Sequence, residues 1–208
     1  MTFLSNDTHM VGRRSFVVRL LAALPLTATP ARAATRTAES TPEWLAALKK
    51  TRHPVFVDSP ILHADGTPLR RALNFLSLHK AGEAAVALGF HGAGLAYAFD
   101  DALWRELKLA ERFNIPGELA RTSNPFARAS VGGAPTLVEL ASRGVRLLAC
   151  RNTMRRWSEN YTAQLGRPAA EILAMFEQGL VPSAEIVPAM ILAAATAQEE
   201  RVPYVVVV

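Results

Sequence analysis

Two short blocks carry the residues whose types and spacing could do chemistry. They are Cys150-Arg151-Asn152-Thr153 and His91-Gly92-Ala93-Gly94. Each follows a run of apolar residues, VRLLAC over 145–150 and AAVALGF over 84–90. Such runs read as buried parallel strands, whose carboxyl ends are where α/β sheets hold ligands. Cys150 therefore closes a strand and opens a helical turn. Backbone N–H groups, the positive end of the helix dipole and the nearby Arg151, Arg155 and Arg156 would favour its thiolate, the nucleophilic form. The same residue reads equally as a packed small hydrophobe, as most lone cysteines are. With no second cysteine in the chain it cannot resolve as an internal disulfide; it could carry sulfur as a persulfide or exchange with a partner thiol.

Gly92 and Gly94 would let the backbone approach a ligand, or simply make a tight turn. His91 could donate a proton or be a structural histidine. Neither block is a Walker A or a G-x-G-x-x-G, so nucleotide binding is poorly supported. A third strand end, Asp58-Ser59-Pro60, leads to His63, Asp65 and Gly66. A metal site built from His63, Asp65, His91 and Cys150 lacks any ligand spacing, and a Ser-His-Asp triad lacks its G-x-S-x-G elbow. No metal and no cofactor is assigned.

The elements that position these residues alternate. Strands are expected at 54–58, 84–90, 145–150, 185–187 and 203–208. Helices are expected at 67–80, 101–113, 136–142, 151–161, 168–178 and 188–200, with Asp100 or Asp101 as a cap for the second. A further short helix begins at Pro42, with Trp44, Leu45 and Leu48 as its apolar face. Residues 114–135, rich in Gly, Pro, Ser and Arg, read as a long loop that could cover the site as a lid. Apolar strands joined by helices imply one α/β domain, a parallel sheet with helices on both faces.

The chain has 208 residues, 50% of them hydrophobic, and a formal charge of +5. Part of that charge is an address. Residues 1–33 contain Arg13-Arg14-Ser15-Phe16, a modestly apolar stretch and Ala31-Arg32-Ala33, a small-x-small cleavage site. The order matches a twin-arginine signal peptide and a periplasmic mature protein. Cleavage after Ala33 removes four arginines and Asp7, leaving a net charge of +2. A nucleic-acid partner then has little support, and no membrane attachment remains after cleavage. Residues 34–53 read as an N-terminal extension and 54–208 as the working domain.

Taken together, Ala72-Leu73-Asn74, ALGFHGAGL at 87–95, GVRLLACRNTMRR at 144–156, VPSAEIVPAM at 181–190 and the terminal Tyr204-Val205-Val206 resemble the DsrE/DsrF-like superfamily of sulfur-relay subunits and their relatives. The resemblance implies a three-layer α/β/α sandwich with a five-stranded, mainly parallel sheet. It also implies a homo-oligomer, a trimer or hexamer, and sulfur handling as a persulfide through Cys150, passed from a donor protein or to an acceptor. In that reading Arg151 and helix N–H groups would steady the sulfur, and His91, Gly92, Gly94, Asn152 and Thr153 would shape the pocket. The alternative is a non-enzymatic oligomeric module that binds a small ligand and keeps Cys150 as packing. The two part on whether Cys150 is exposed and whether it shares a cavity with His91.

Overall fold

A computed structural model of the chain describes residues 41–208, which lie within one compact unit. Residues 1–33, read above as a targeting segment, and the start of the extension fall outside the described residues. Five strands, β1 (His53–Ser59), β2 (Ala84–Phe90), β3 (Arg146–Cys150), β4 (Ala184–Val187) and β5 (Tyr204–Val206), form one sheet in the order β4-β3-β2-β1-β5. Every pairing is parallel. The fold is the α/β sandwich that the alternating elements led one to expect.

The topology decides how the two faces are covered. From β1 to β4 the chain steps three times in one direction across the sheet. Right-handed crossovers then put all three connections on the same face. The step from β4 back to β5 runs the other way and must cross the opposite face. The core divides accordingly, because alternate strand residues point to opposite sides. Val55, Val57, Val86, Leu88, Phe90, Leu147 and Ala149 face the thick layer. Its helices are α2 (Thr67–Ser77), α3 (Asp101–Glu106), α4 (Leu109–Arg112), α5 (Glu118–Thr122), α6 (Pro125–Arg128), α7 (Leu137–Ser142), α8 (Arg151–Leu165) and α9 (Ala169–Gln178). Phe56, Ala87, Leu148, Cys150 and Val187 face the thin layer, made of α1 (Glu43–Leu48) and α10 (Met190–Glu199). α1 belongs to the packed domain, since Leu45 and Leu48 are fully buried and Trp44 meets Phe56 edge-on at 5.7 Å.

Two expectations need correction. The helix read over 101–113 is two helices, broken where Lys108 takes a left-handed φ of 50°. The break turns Leu109 and Ala110 into the same core as Leu103 and Trp104. Residues 114–135 are not a structureless lid. They carry α5 and α6 and are pinned by the buried Asn124, whose Nδ2 donates to the carbonyls of Tyr97 (2.9 Å) and Phe99 (2.6 Å). The turn after β2 continues as a 3-10 segment, Gly92–Ala98, buried from Gly94 onwards. Among the described residues no helix is long and apolar enough to cross a membrane.

That 3-10 segment is held against the end of β1 by its glycines. A Cβ on Gly94 would stand 2.1 Å from the Ser59 carbonyl oxygen, and one on Gly92 2.6 Å from that of Pro60. Gly94→Ala should therefore lower stability by about 1–3 kcal/mol, the usual cost of forcing volume into a packed interior. Gly89→Ala meets the Met190 side chain instead, which can move. In urea titrations Gly94→Ala should lose more than Gly89→Ala; the reverse order would show that the β1–turn contact yields.

Candidate functional site

The chemistry-bearing residues gather at the carboxyl edge of the sheet, but not as one group. His91 is the first residue beyond β2. Its Nε2 lies 3.1 Å from Oδ1 and 3.2 Å from Oδ2 of Asp58, so the ring edge faces the whole carboxylate. Asp58 is 5% exposed near the end of β1. From the other side the Tyr204 hydroxyl donates to Asp58 Oδ2 at 2.6 Å. A buried carboxylate needs such donors to be held in a low-dielectric interior. His91 Nε2 is the ring nitrogen that meets this carboxylate. Nδ1 then has no partner among the described residues. Burial pushes the Tyr204 hydroxyl well above its ordinary value, and the Asp58 hydrogen bond and charge push it the same way. Tyr204 is thus a donor at any pH near neutrality, and Tyr204, Asp58 and His91 form a fixed chain.

On its other side His91 lines a cleft of about 400 Å³ with Gly92, Ala93, Arg112, Phe113, Thr153, Arg156, Trp157 and Asn160. Thr153, Arg156, Trp157 and Asn160 recur at helical spacing on one face of α8. The Gly92 N–H donates weakly to Thr153 Oγ1 at 3.4 Å, joining the β2 turn to the start of α8. The Arg112 guanidinium lies over three rings, 5.0 Å from that of Tyr161 and 5.9 Å from those of Phe113 and Trp157.

Of the residues singled out in the sequence, His91, Gly92, Thr153 and Arg156 meet here. Cys150, Arg151, Asn152 and Gly94 do not. Cys150 is 4% exposed and packs in the thin layer. Its Sγ accepts a hydrogen bond from the Met190 N–H at 3.3 Å. The amide facing the thiol thus belongs to the first residue of α10, not to α8, the helix that Cys150 precedes. The reason is strand parity: Leu148 and Cys150 point away from the face on which α8 lies. Arg151 is exposed and pairs with Glu177 of α9 at 2.6 Å. Asn152 is exposed, its Oδ1 taking a hydrogen bond from Arg155 at 3.2 Å. Gly94 is buried against β1.

His63 and Asp65 serve elsewhere. The His63 backbone exchanges two hydrogen bonds with the Tyr97 hydroxyl, at 3.0 and 2.8 Å. The Thr67 hydroxyl, with Arg70 and the Thr67 N–H, lowers the Asp65 carboxyl to about 2. His63, His91 and Cys150 form no group able to hold a metal, and no three His, Cys, Asp or Glu side chains among the described residues do.

Asp58 stood at a recognised strand end, but nothing in the sequence joined it to Tyr204, which arrives from the far edge of the sheet. The sequence reading placed Arg156 only as a charge near Cys150, and no local pattern marked Arg112. A search of protein-family models and of curated protein sequences returns no match to the chain.

The Tyr204–Asp58 contact has a signature in alkali. Tyr204 is raised above its unfolded value of 10.0, so its contribution is complete below pH 10 and is lost as pH climbs further. Tyr204→Phe should cost about 1–3 kcal/mol near neutrality, the worth of a hydrogen bond to a charged group. It should also flatten the fall in stability above pH 10. Equal alkaline slopes in the two proteins would show that Tyr204 is not held by Asp58.

Proposed function

We propose that this is an exported DsrE-like domain that binds a small ligand in the cleft between the β2 turn and α8, with Cys150 serving as core. One observation supports this above the sulfur-relay alternative. The cleft gathers His91, Gly92 and Thr153, while the only thiol is buried in the opposite layer. Its volume lies in the usual range for small-molecule sites, and its lining combines aromatic walls with a few polar groups. Fragment binding followed by NMR should report on Trp157 and Thr153. Asn160→Trp, a change at an exposed position, should block it. Native Cys150 should react with iodoacetamide on the order of a hundredfold more slowly than in the unfolded chain, as expected for a site reached only by local opening.

The persulfide reading keeps one supporting observation, the Met190 N–H on Cys150 Sγ, which would also serve a sulfur anion. In that reaction the Cys150 thiolate attacks the outer sulfur of a donor persulfide. The new S–S bond forms as the donor's breaks, and the donor leaves as a thiolate. Fast native alkylation, with a sulfur adduct on Cys150 by mass spectrometry, would overturn the binding-module reading in favour of this one.

Assembly and export belong to the same proposal. α10 is apolar on most sides and leaves Ile191 80% and Leu192 50% exposed, a face suited to a second copy of the chain. Expressed in a bacterium, the protein should be recovered from the periplasm cut after Ala33, and should run as a homo-oligomer that Ile191→Glu converts to monomer. Uncut cytoplasmic protein would refute the export reading, and a monomeric wild type the assembly reading.

A further inference from the structure

We infer that the ligand of this cleft is a small organic anion, a carboxylate or a phosphate ester with a flat apolar body. The inference rests on the ligand-site reading above and names the ligand's chemistry. Its basis is an imbalance of charge. The nine residues lining the cleft include Arg112, Arg156 and His91 and no carboxylate. Some surface arginines are matched, Arg70 with Asp65, Arg143 with Glu139, Arg146 with Glu43 and Glu185, and Arg167 with Glu106; Arg112 and Arg156 differ from the other arginines without an ion pair in sharing one cleft that has no carboxylate in its lining. On α8 itself Arg151 is matched to Glu177. Among the described residues Arg112 and Arg156 have no such acid.

Geometry adds to charge. The guanidinium of Arg112 is fixed over the rings of Phe113, Trp157 and Tyr161. The guanidinium also acts on the Tyr161 hydroxyl through a hydrogen bond, and because Arg112 is exposed the rest of its five N–H donors can meet an anion. Asn160 and the Thr153 hydroxyl add neutral hydrogen-bonding groups. Phe113 and Trp157 offer apolar surface for the ligand's body. His91, backed by Asp58 and Tyr204, presents its ring to the same cleft. The one carboxylate near His91 is that of Asp58, which is buried behind the ring and does not line the cleft.

Phenyl phosphate, with benzyl alcohol as its neutral counterpart, tests this on the full-length mature protein by calorimetry. Phenyl phosphate should bind and benzyl alcohol should bind at least about tenfold more weakly, the worth of one charge-assisted hydrogen bond. Arg156→Gln, an exposed change, should weaken phenyl phosphate about tenfold and leave benzyl alcohol unaltered. Added sodium chloride, which needs no variant, should weaken phenyl phosphate alone. Equal affinity for the two probes, or indifference to both salt and Arg156→Gln, would overturn the anion inference while the cleft remained a ligand site. Failure of any fragment of any charge to bind would remove the ligand-site reading as well.

Discussion

The handedness of the crossovers governs this molecule. Among the described residues, three steps one way across the sheet put eight helices on one face, and the one step back puts α10 on the other, beside α1. Everything said about the site follows from that asymmetry and from the alternation of side chains along a strand. A residue's parity decides whether it meets the thick layer or the thin one. Cys150 and Ala149 are neighbours in sequence, yet one lies under α10 and the other faces the core shared with α8. The strand-end block that carries the cysteine is thereby divided. Thr153 turns into the cleft, Arg151 turns to α9, and the thiol turns the opposite way.

His91 stands at the border between the layers. Its ring contacts the buried Asp58 on one side and lines the cleft on the other. The chain from Tyr204 through Asp58 to His91 spans β5, β1 and the end of β2, three adjacent strands of the sheet. Orientation of the imidazole is therefore set by the sheet itself rather than by a loop. The glycines at 92 and 94 contribute by letting the turn lie on the end of β1, which fixes where the ring emerges. Gly94 is used in internal packing, whereas Gly92 both packs on Pro60 and lines the cleft.

Much of the fold was legible because its strands are continuous apolar runs, and such runs make sense only with both faces covered. The strand at 84–90 and the succession of five strands along the chain could be read in this way, but not their order within the sheet. What could not be read was longer in range. The break at Lys108 depends on which face the second half of the helix must bury, and the packing of 114–135 depends on the Asn124 amide finding two carbonyls of the 3-10 segment. At the site, residue type and strand-end position pointed to His91, Gly92 and Thr153. They pointed equally to Cys150, because parity relative to a helix not yet placed is invisible in sequence. Arg112 and Tyr204 enter from distant segments, and no local pattern marks them.

β5 lies beside β1, and the hydrogen bond from Tyr204 to Asp58 closes a separation of 146 residues. Contacts of that span form late, since loop-closure entropy must be overcome before they contribute. A nascent chain can pair β1, β2 and β3 in order of synthesis, but the edge of the sheet beside β1 stays open until the final strand is available. Until then Asp58 lacks its tyrosine donor and β1 presents an unpaired edge, a template for pairing with other chains. Threading such a protein across a membrane unfolded would expose that edge in the compartment of arrival. Under the export proposal, passage only after folding would complete the sheet before the journey begins.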